Sequence, residues 1–141
     1  WLSDVADPEI PVLTIMDLGI VRDVECNGGV TVSLTPTYSG CPAPEAIEAS
    51  VVAALEGRGV AKINIRRVLA PAWTTDWISD EGREKLRVYG IAPPQRRDRP
   101  IICPRCDSGN TEVVSEFGST ACKASYRCVD CLEPFEYFKC L

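Results

Sequence analysis

Cys103-Pro-Arg-Cys106 and Cys128-Val-Asp-Cys131 are two C-x2-C pairs with 21 residues between them. Structural zinc takes four ligands at the corners of a tetrahedron, and two tight turns can each deliver a pair of thiolates. The spacing, set among strand-like segments, predicts a zinc ribbon with these four cysteines as ligands. Two alternatives stay open, an iron–sulfur cluster on the same cysteines and a redox C-x-x-C pair, although a redox pair is expected at a helix start.

The segment around these cysteines is too short to fold on apolar packing alone. Residues 101–141 make a 41-residue module, a size at which a metal or disulfides usually supplement the core. Before it, residues 93–100 read Pro-Pro-Gln-Arg-Arg-Asp-Arg-Pro, which indicates a stiff polar linker because proline opposes helix. The sequence therefore predicts a first domain at 1–92, a linker at 93–100 and a zinc-ribbon domain at 101–141.

The first domain reads as alternating strands and helices. Asn27-Gly28-Gly29 lies between two β-branched runs and predicts a hairpin. Apolar residues at helical spacing, followed by glycine, predict two helices. The predicted strands are 21–25, 30–35 and 61–69, and the predicted helices are 42–56 and 80–89, with Leu86 and Tyr89 on the inner side of the second helix. This order predicts an α/β fold, a small two-layer α/β sandwich, followed by the all-β ribbon.

Composition excludes several kinds of chemistry. The 141 residues include eight cysteines and no histidine, so a Ser-His-Asp triad, a Cys-His pair and a two-histidine iron site are absent from this chain. The net charge of −5 argues against nucleic acid as a partner. No apolar run is long enough to span a membrane, and no secretion signal is visible. Trp1, in place of an initiator methionine, predicts that a few starting residues are missing.

Cys41 is the candidate functional thiol of the first domain. Pro42 suits the first position of the predicted helix, which makes Cys41 its cap. Unpaired amides and the positive end of the helix dipole favour a thiolate there, so we expect the pKa of Cys41 to be lowered. Without a general base, such a thiolate suits a soft metal better than acyl chemistry. A purely structural cap is the alternative, and Cys26 is assigned no role.

Cys122 and Cys140 form a possible second sulfur site. An extended strand puts Cys122 about 20 Å from Cys128, too far to share the metal of the knuckles. Folding the hairpin about Cys131 predicts that Cys140 lies opposite Cys122, although a one-residue slip would turn Cys140 to the other face. The pair can be two small buried hydrophobes, a disulfide, or a thiolate pair that transiently holds metal.

Several motifs resemble known families. The first domain resembles the SufT-like iron–sulfur assembly domain through Asp7-Pro-Glu-Ile-Pro-Val12, Asp17-Leu-Gly-Ile-Val21 and Thr35-Pro-Thr with Cys41-Pro42. The whole chain is similar to the PaaD (PaaJ) subunits of bacterial phenylacetyl-CoA ring-epoxidase systems, through Thr74-Thr-Asp-Trp77, Tyr89-Gly-Ile-Ala-Pro-Pro94, Phe117-Gly-Ser-Thr-Ala-Cys-Lys123 and Glu133-Pro-Phe-Glu-Tyr-Phe-Lys-Cys140.

The resemblance implies an accessory role. Other subunits of such a system carry the diiron oxygenase and the iron–sulfur flavin reductase, and PaaD-like proteins are thought to help mature the metal centres. By resemblance, Cys41 is the cofactor-binding residue of the first domain, with Asp17 as its neighbour. A transient iron–sulfur cluster would then accompany structural zinc.

Two other readings stay open. One is a non-catalytic scaffold whose ribbon docks the oxygenase, and the other is a thiol-dependent enzyme that uses Cys41. The expected partners are the other epoxidase subunits, with neither nucleic acid nor membrane, and the expected location is the cytoplasm.

Overall fold

The computed structural model describes residues 1–37, 43–96 and 98–140. The chain divides into two units, Trp1–Gly82 and Arg83–Leu141. The regular elements are β1 (Val21–Cys26), β2 (Val30–Leu34), α1 (Ala43–Glu56), β3 (Ile63–Arg67), α2 (Asp80–Tyr89), β4 (Ile91–Ala92), β5 (Thr111–Ser115), β6 (Lys123–Cys128) and β7 (Pro134–Phe138). Among the described residues, no helix is long and apolar enough to cross a membrane.

The first unit contains a three-stranded sheet in the order β1-β2-β3. β1 and β2 are antiparallel, and Cys26 pairs with Val30 across the predicted hairpin. Gly28 has a φ of +67°, a conformation that glycine adopts without steric cost. β2 and β3 run parallel, so α1 lies in the crossover between them. The predicted mixed α/β fold is confirmed.

Two segments supply much of the core of this unit. The turn after Asp7 is closed by its own carboxylate, because Asp7 Oδ1 accepts the N–H groups of Glu9 and Ile10 at 2.9 and 2.7 Å. Apolar side chains of the segment that follows are buried in the interior, and helix α1 turns one apolar face inward. The buried residues are Ile10, Leu13, Ile15, Leu18 and Ile20 from the first segment, and Ile47, Val51 and Leu55 from α1.

Helix α2 begins where Ser79 Oγ accepts the N–H of Gly82 at 2.9 Å, which satisfies one unpaired amide of the first turn. Leu86 is fully buried, as predicted, but the prediction for Tyr89 is wrong because its side chain is 60% exposed. Tyr89 is the last helical residue, and Gly90 turns the chain away with a φ of +92°. Because Tyr89 ends the helix, its ring is not part of the buried helix face that contains Leu86.

The second unit contains a four-stranded sheet in the order β4-β7-β6-β5. Its first strand differs from the sequence-based boundary, which assigns Ile91 and Ala92 to the first domain, whereas both residues pair in parallel with β7. Ala92 is buried in the same apolar cluster as Phe135 and Tyr137. Strand β4 precedes the proline-rich segment in sequence but pairs with the ribbon. The second unit therefore begins before that segment.

Candidate metal centre

The four cysteines of the two C-x2-C pairs converge on one point of the ribbon. Their sulfur atoms all lie within 4.8 Å of one another. Cys103 and Cys131 are 3.8 Å apart, and Cys106 and Cys128 are 3.6 Å apart, measured between Sγ atoms. Sulfurs placed about 2.3 Å from the centre of a tetrahedron lie about 3.8 Å from each other, so the donor set fits a tetrahedral thiolate-bound metal.

The two turns that carry these cysteines have the same backbone hydrogen bond. The N–H of Cys103 donates to the carbonyl of Ser108 at 2.9 Å, and the N–H of Cys128 donates to the carbonyl of Glu133 at 3.0 Å. In both turns the first cysteine is buried and the second is exposed. In each turn, therefore, the first cysteine is part of the ribbon interior and the second covers the centre on the solvent side.

The electrostatics of the cluster favour a bound cation. The N–H of Cys131 and then that of Asp130 donate to the Cys128 sulfur and lower its pKa to about 7. At Cys106, the N–H of Ser108 lowers the pKa, but the Cys131 thiol, burial and the other sulfurs outweigh it and raise the pKa to about 12. One thiolate forms readily, and the thiolates that follow are opposed by like charge unless a metal ion neutralises them.

Polar residues outside the cluster tie the two turns together. Asp130 accepts hydrogen bonds from the hydroxyl of Ser108 and from Asn110 Nδ2, the latter at 2.8 Å. The N–H of Asn110 in turn donates to Ser108 Oγ at 3.0 Å. These donors lower the pKa of Asp130. This network was not predicted from the sequence, and the signal for it was the run of turn-forming residues directly after Cys106.

Asp17, predicted as a cofactor-binding neighbour of Cys41, lies in a network of hydrogen bonds. Asp17 Oδ2 accepts the N–H and the hydroxyl of Thr14, each at 2.9 Å, and Oδ1 accepts the Ser79 hydroxyl at 3.4 Å. The carbonyl of Asp17 accepts the N–H of Ser79 at 2.9 Å. Cys41 itself lies outside the described residues. The contacts of Asp17 therefore join two segments of the first unit.

Cys122 and Cys140 lie at the far end of the ribbon, but the predicted register is wrong by one residue. The N–H of Lys139 donates to the carbonyl of Cys122 at 2.9 Å, so Lys139 is the residue level with Cys122. Cys122 is buried and its sulfur lies 3.0 Å from Thr120 Oγ1. Contact between the two sulfurs stays a prediction, and the metal-type cluster found among the described residues excludes both cysteines.

Family models match both parts of the chain. Residues 1–65 match the model described as iron–sulfur cluster assembly protein, and residues 92–139 match the PaaD zinc beta ribbon domain. Among solved structures, the domain of unknown function DUF59 from Bacillus anthracis is 30% identical, with a TM-score of 0.56 over 60% of this chain and 83% of that one. The conserved hypothetical protein TM0487 from Thermotoga maritima is 31% identical, with a TM-score of 0.50 over 60% and 85%.

Two curated relatives are also similar. The chain is 39% identical over 88 residues to "Fe-S protein maturation auxiliary factor" of Porphyromonas gingivalis (strain ATCC BAA-308 / W83), which covers 60% of this chain and 83% of the relative. It is 51% identical to a putative 1,2-phenylacetyl-CoA epoxidase subunit of Escherichia coli (strain K12), over 99% of this chain and 89% of that protein. With the iron–sulfur assembly domain followed by the PaaD-type ribbon, the chain belongs to the PaaD family of phenylacetyl-CoA epoxidase subunits.

Proposed function

We propose that this chain is an accessory maturation factor of a phenylacetyl-CoA epoxidase system, and that it assists iron–sulfur or other metal-centre assembly in the oxygenase and reductase components. The observation that carries the proposal is the joining, in one chain, of a domain matched by the iron–sulfur cluster assembly model to the PaaD ribbon. Its partners would be the diiron oxygenase and the iron–sulfur flavin reductase, during aerobic phenylacetate degradation in the cytoplasm.

In this proposal, zinc holds the ribbon and Cys41 handles the transient cluster. A closed set of four cysteines is typical of structural zinc, which leaves no open position for chemistry. The Oγ1 atom of Thr35 supports a second site, because it is buried and finds no hydrogen-bond partner among the described residues. Thr35 lies a few residues before Cys41 in the sequence, so a group bound at Cys41 could form a hydrogen bond with the Thr35 hydroxyl. Asp17, which the resemblance implies as the neighbour of Cys41, is held by its hydrogen bonds to Thr14 and Ser79.

The experiment tests whether the partner components acquire their metal without this chain. The oxygenase and reductase components are produced with and without this chain, and the iron and acid-labile sulfide of each purified component are measured. We expect the iron content of the oxygenase and the iron and sulfide contents of the reductase to fall without the chain and in the Cys41→Ser variant. Cys26→Ser, which changes an exposed thiol of the same unit, serves as the matched control. Unchanged metal and sulfide contents in components made without the chain would contradict the proposal.

A scaffold that only docks the oxygenase is the second candidate. It is favoured by the ribbon, where one four-cysteine group takes up both C-x2-C pairs. The same experiment separates the two functions: a scaffold leaves the metal content of the components unchanged and alters only their assembly. A thiol-dependent enzyme would instead show turnover by this chain alone, lost in Cys41→Ser.

A further inference from the structure

An apolar groove of about 300 Å³ lies on the ribbon, and its lining includes none of the four cysteines of the metal centre. Ala124 and Tyr137 are paired across β6 and β7, and Tyr126 follows Ala124 on the same face. The rings of Tyr126 and Tyr137 meet edge to face, with centroids 5.5 Å apart. Because Ala124 contributes only a methyl group beside these rings, the face has a recess of the size of an inserted side chain.

The rim of this groove exposes large apolar side chains. Val113 is 54% exposed and Phe117 is 69% exposed, and both line the groove. Val114, between them in sequence, is 65% exposed. Single exposed hydrophobic residues are ordinary, whereas a contiguous set beside an aromatic recess is typical of a protein–protein contact.

The geometry of β5 favours an inserted side chain over an added strand. β5 is an edge strand of the sheet, and edge strands can pair with a strand from another chain. Its register to β6 shifts between Val113 and Ser115, so Val114 bulges out of the ladder. A bulge interrupts the regular row of edge hydrogen bonds that a continuous added strand would need.

The charges of the ribbon indicate what accompanies that side chain. Three of its cations are paired with glutamates: Arg105 with Glu133, Lys123 with Glu136 and Arg127 with Glu112. In the part of the chain that the structure describes, Lys139 has no such pair. Its Nζ donates to the backbone carbonyl of Glu116 at 3.1 Å and lies 5.0 Å from the centroid of the Phe117 ring. The Glu116 side chain shares the rim.

We infer that this groove binds a partner protein through an aromatic side chain that has a carboxylate beside it. The ring would enter between Tyr126 and Phe117, and the carboxylate would pair with Lys139. Tyrosine and phenylalanine surfaces of this kind provide most of the affinity of many interfaces, and a charge at the rim adds selectivity. Glu116 repels such a carboxylate, so it limits the affinity. The epoxidase components are the expected source of this segment, a step that rests on the proposed function.

The first test uses peptide probes and the full chain, labelled with ¹⁵N. Acetyl-Trp-Glu-amide at millimolar concentration should shift the amide signals of Ala124 and Tyr126, and acetyl-Trp-Lys-amide should shift them several-fold less. Lys139→Gln should abolish this preference, whereas Glu116→Gln should increase the response to the acidic peptide. Equal responses to both peptides, or shifts confined to other residues, would overturn the inference.

The second test measures binding of the purified oxygenase and reductase components to the full chain. Phe117→Ser should weaken the binding about tenfold, as expected for loss of an interface hot spot. Leu69→Ser is the matched control, because Leu69 is an equally exposed apolar residue of the first unit. Binding that survives Phe117→Ser unchanged would overturn the groove but leave the proposed function intact. If no component binds at all, the proposed partners are wrong, and the peptide test alone decides the groove.

Discussion

Leu132 and Asp107 share the same left-handed backbone conformation, with φ angles of 63° and 60°. Each residue directly follows the second cysteine of a C-x2-C pair, so the two turns of the metal centre are one backbone motif built twice. Aspartate enters the left-handed region at moderate cost, because its short polar side chain can bond locally. Leucine has no such compensation, and its side chain is 67% exposed. The second turn therefore contains more backbone strain than the first.

The first prediction concerns this strain. Leu132→Gly should stabilise the metal-loaded ribbon by up to about 1 kcal/mol, because glycine removes the steric cost of a positive φ. Part of the gain is offset by the greater freedom of glycine in the unfolded chain. Leu132→Val should have the opposite effect, since a branched Cβ worsens the same clash. Denaturant unfolding of the metal-loaded variants measures both changes, and a less stable glycine variant would contradict the argument.

The second prediction concerns metal removal. Complete chelation should abolish the hydrogen-exchange protection of β5, β6 and β7 while β2 in the first unit stays protected. The reason is that the ribbon relies on the four-cysteine centre where a larger domain would rely on apolar packing. Elemental analysis should find one zinc ion per chain, lost in Cys128→Ser and retained in Cys26→Ser. Protection that persists in the ribbon after all metal is gone would count against it.

The third prediction concerns the support of the centre by Asp130. Asp130→Ala should increase the rate of metal loss to a chelator about tenfold, because residues that orient metal ligands commonly contribute this much. The substitution removes the acceptor of Ser108 and of Asn110 Nδ2. Asp98→Ala is a suitable control, because Asp98 is an exposed aspartate paired with Arg96 at 3.7 Å. The assay fails to support the prediction if both variants release metal at the wild-type rate.

The fourth prediction concerns the ion pair between Lys123 and Glu136, whose Nζ and Oε2 atoms are 2.9 Å apart. The Lys123 side chain is almost completely buried, and Glu136 Oε1 accepts the N–H of Ser119 at 2.6 Å. Glu136→Gln should destabilise the ribbon by about 2–3 kcal/mol, since it leaves a buried ammonium without its charge partner. The double variant Lys123→Met/Glu136→Leu should recover most of that loss. A Gln variant as stable as the wild type would show that the pair contributes little.

The same pair predicts a response to acid. Burial raises the pKa of Glu136, but the N–H of Ser119 and the Lys123 ammonium together lower it by more than burial raises it. The net pKa therefore lies below its ordinary value of 4.5. A lowered pKa in the folded state means that the stabilisation is present above pH 4.5 and is lost as the pH falls through the folded value. Hydrogen exchange at the Ser119 amide should accelerate in that window in the wild type. In Glu136→Gln this exchange should no longer depend on pH beyond its intrinsic trend.

Local sequence signals predicted much of the fold, but they did not determine the pairing register of strands. Gly28 fixes the first hairpin, and the C-x2-C spacing fixes the metal cluster, because each depends on neighbours in the chain. The predicted pairing of Cys122 with Cys140 assumed a hairpin centred on Cys131. The last β6–β7 pair is Arg127 with Pro134, so the true centre of the hairpin lies between Asp130 and Cys131. A centre placed on Cys131 shifts every pair by one residue.

The role of Asp17 that the resemblance implies stays a prediction, and the contacts of its motif lead to the last prediction. Three successive residues of Asp17-Leu-Gly19 contact the segment 73–79: Asp17 bonds Ser79, the Leu18 carbonyl accepts Trp73 Nε1 at 2.8 Å, and Gly19 packs on Trp77. A Cβ at Gly19 would lie 2.6 Å from the Trp77 carbonyl oxygen, and the φ of Gly19 is +66°. Hydrogen bonds and close packing therefore tie this motif to the segment 73–79.

Gly19→Ala should thus destabilise the first unit by about 3 kcal/mol, because it adds a backbone clash to the cost of the positive φ. Gly28→Ala is the matched control: its φ is +67°, but a Cβ there meets nothing within 4 Å. It should cost only the conformational term, about 1 kcal/mol. Denaturant unfolding followed by tryptophan fluorescence measures both, since Trp73 and Trp77 report on this contact. Equal losses in the two variants would mean that the packing of Gly19 against Trp77 contributes nothing to stability.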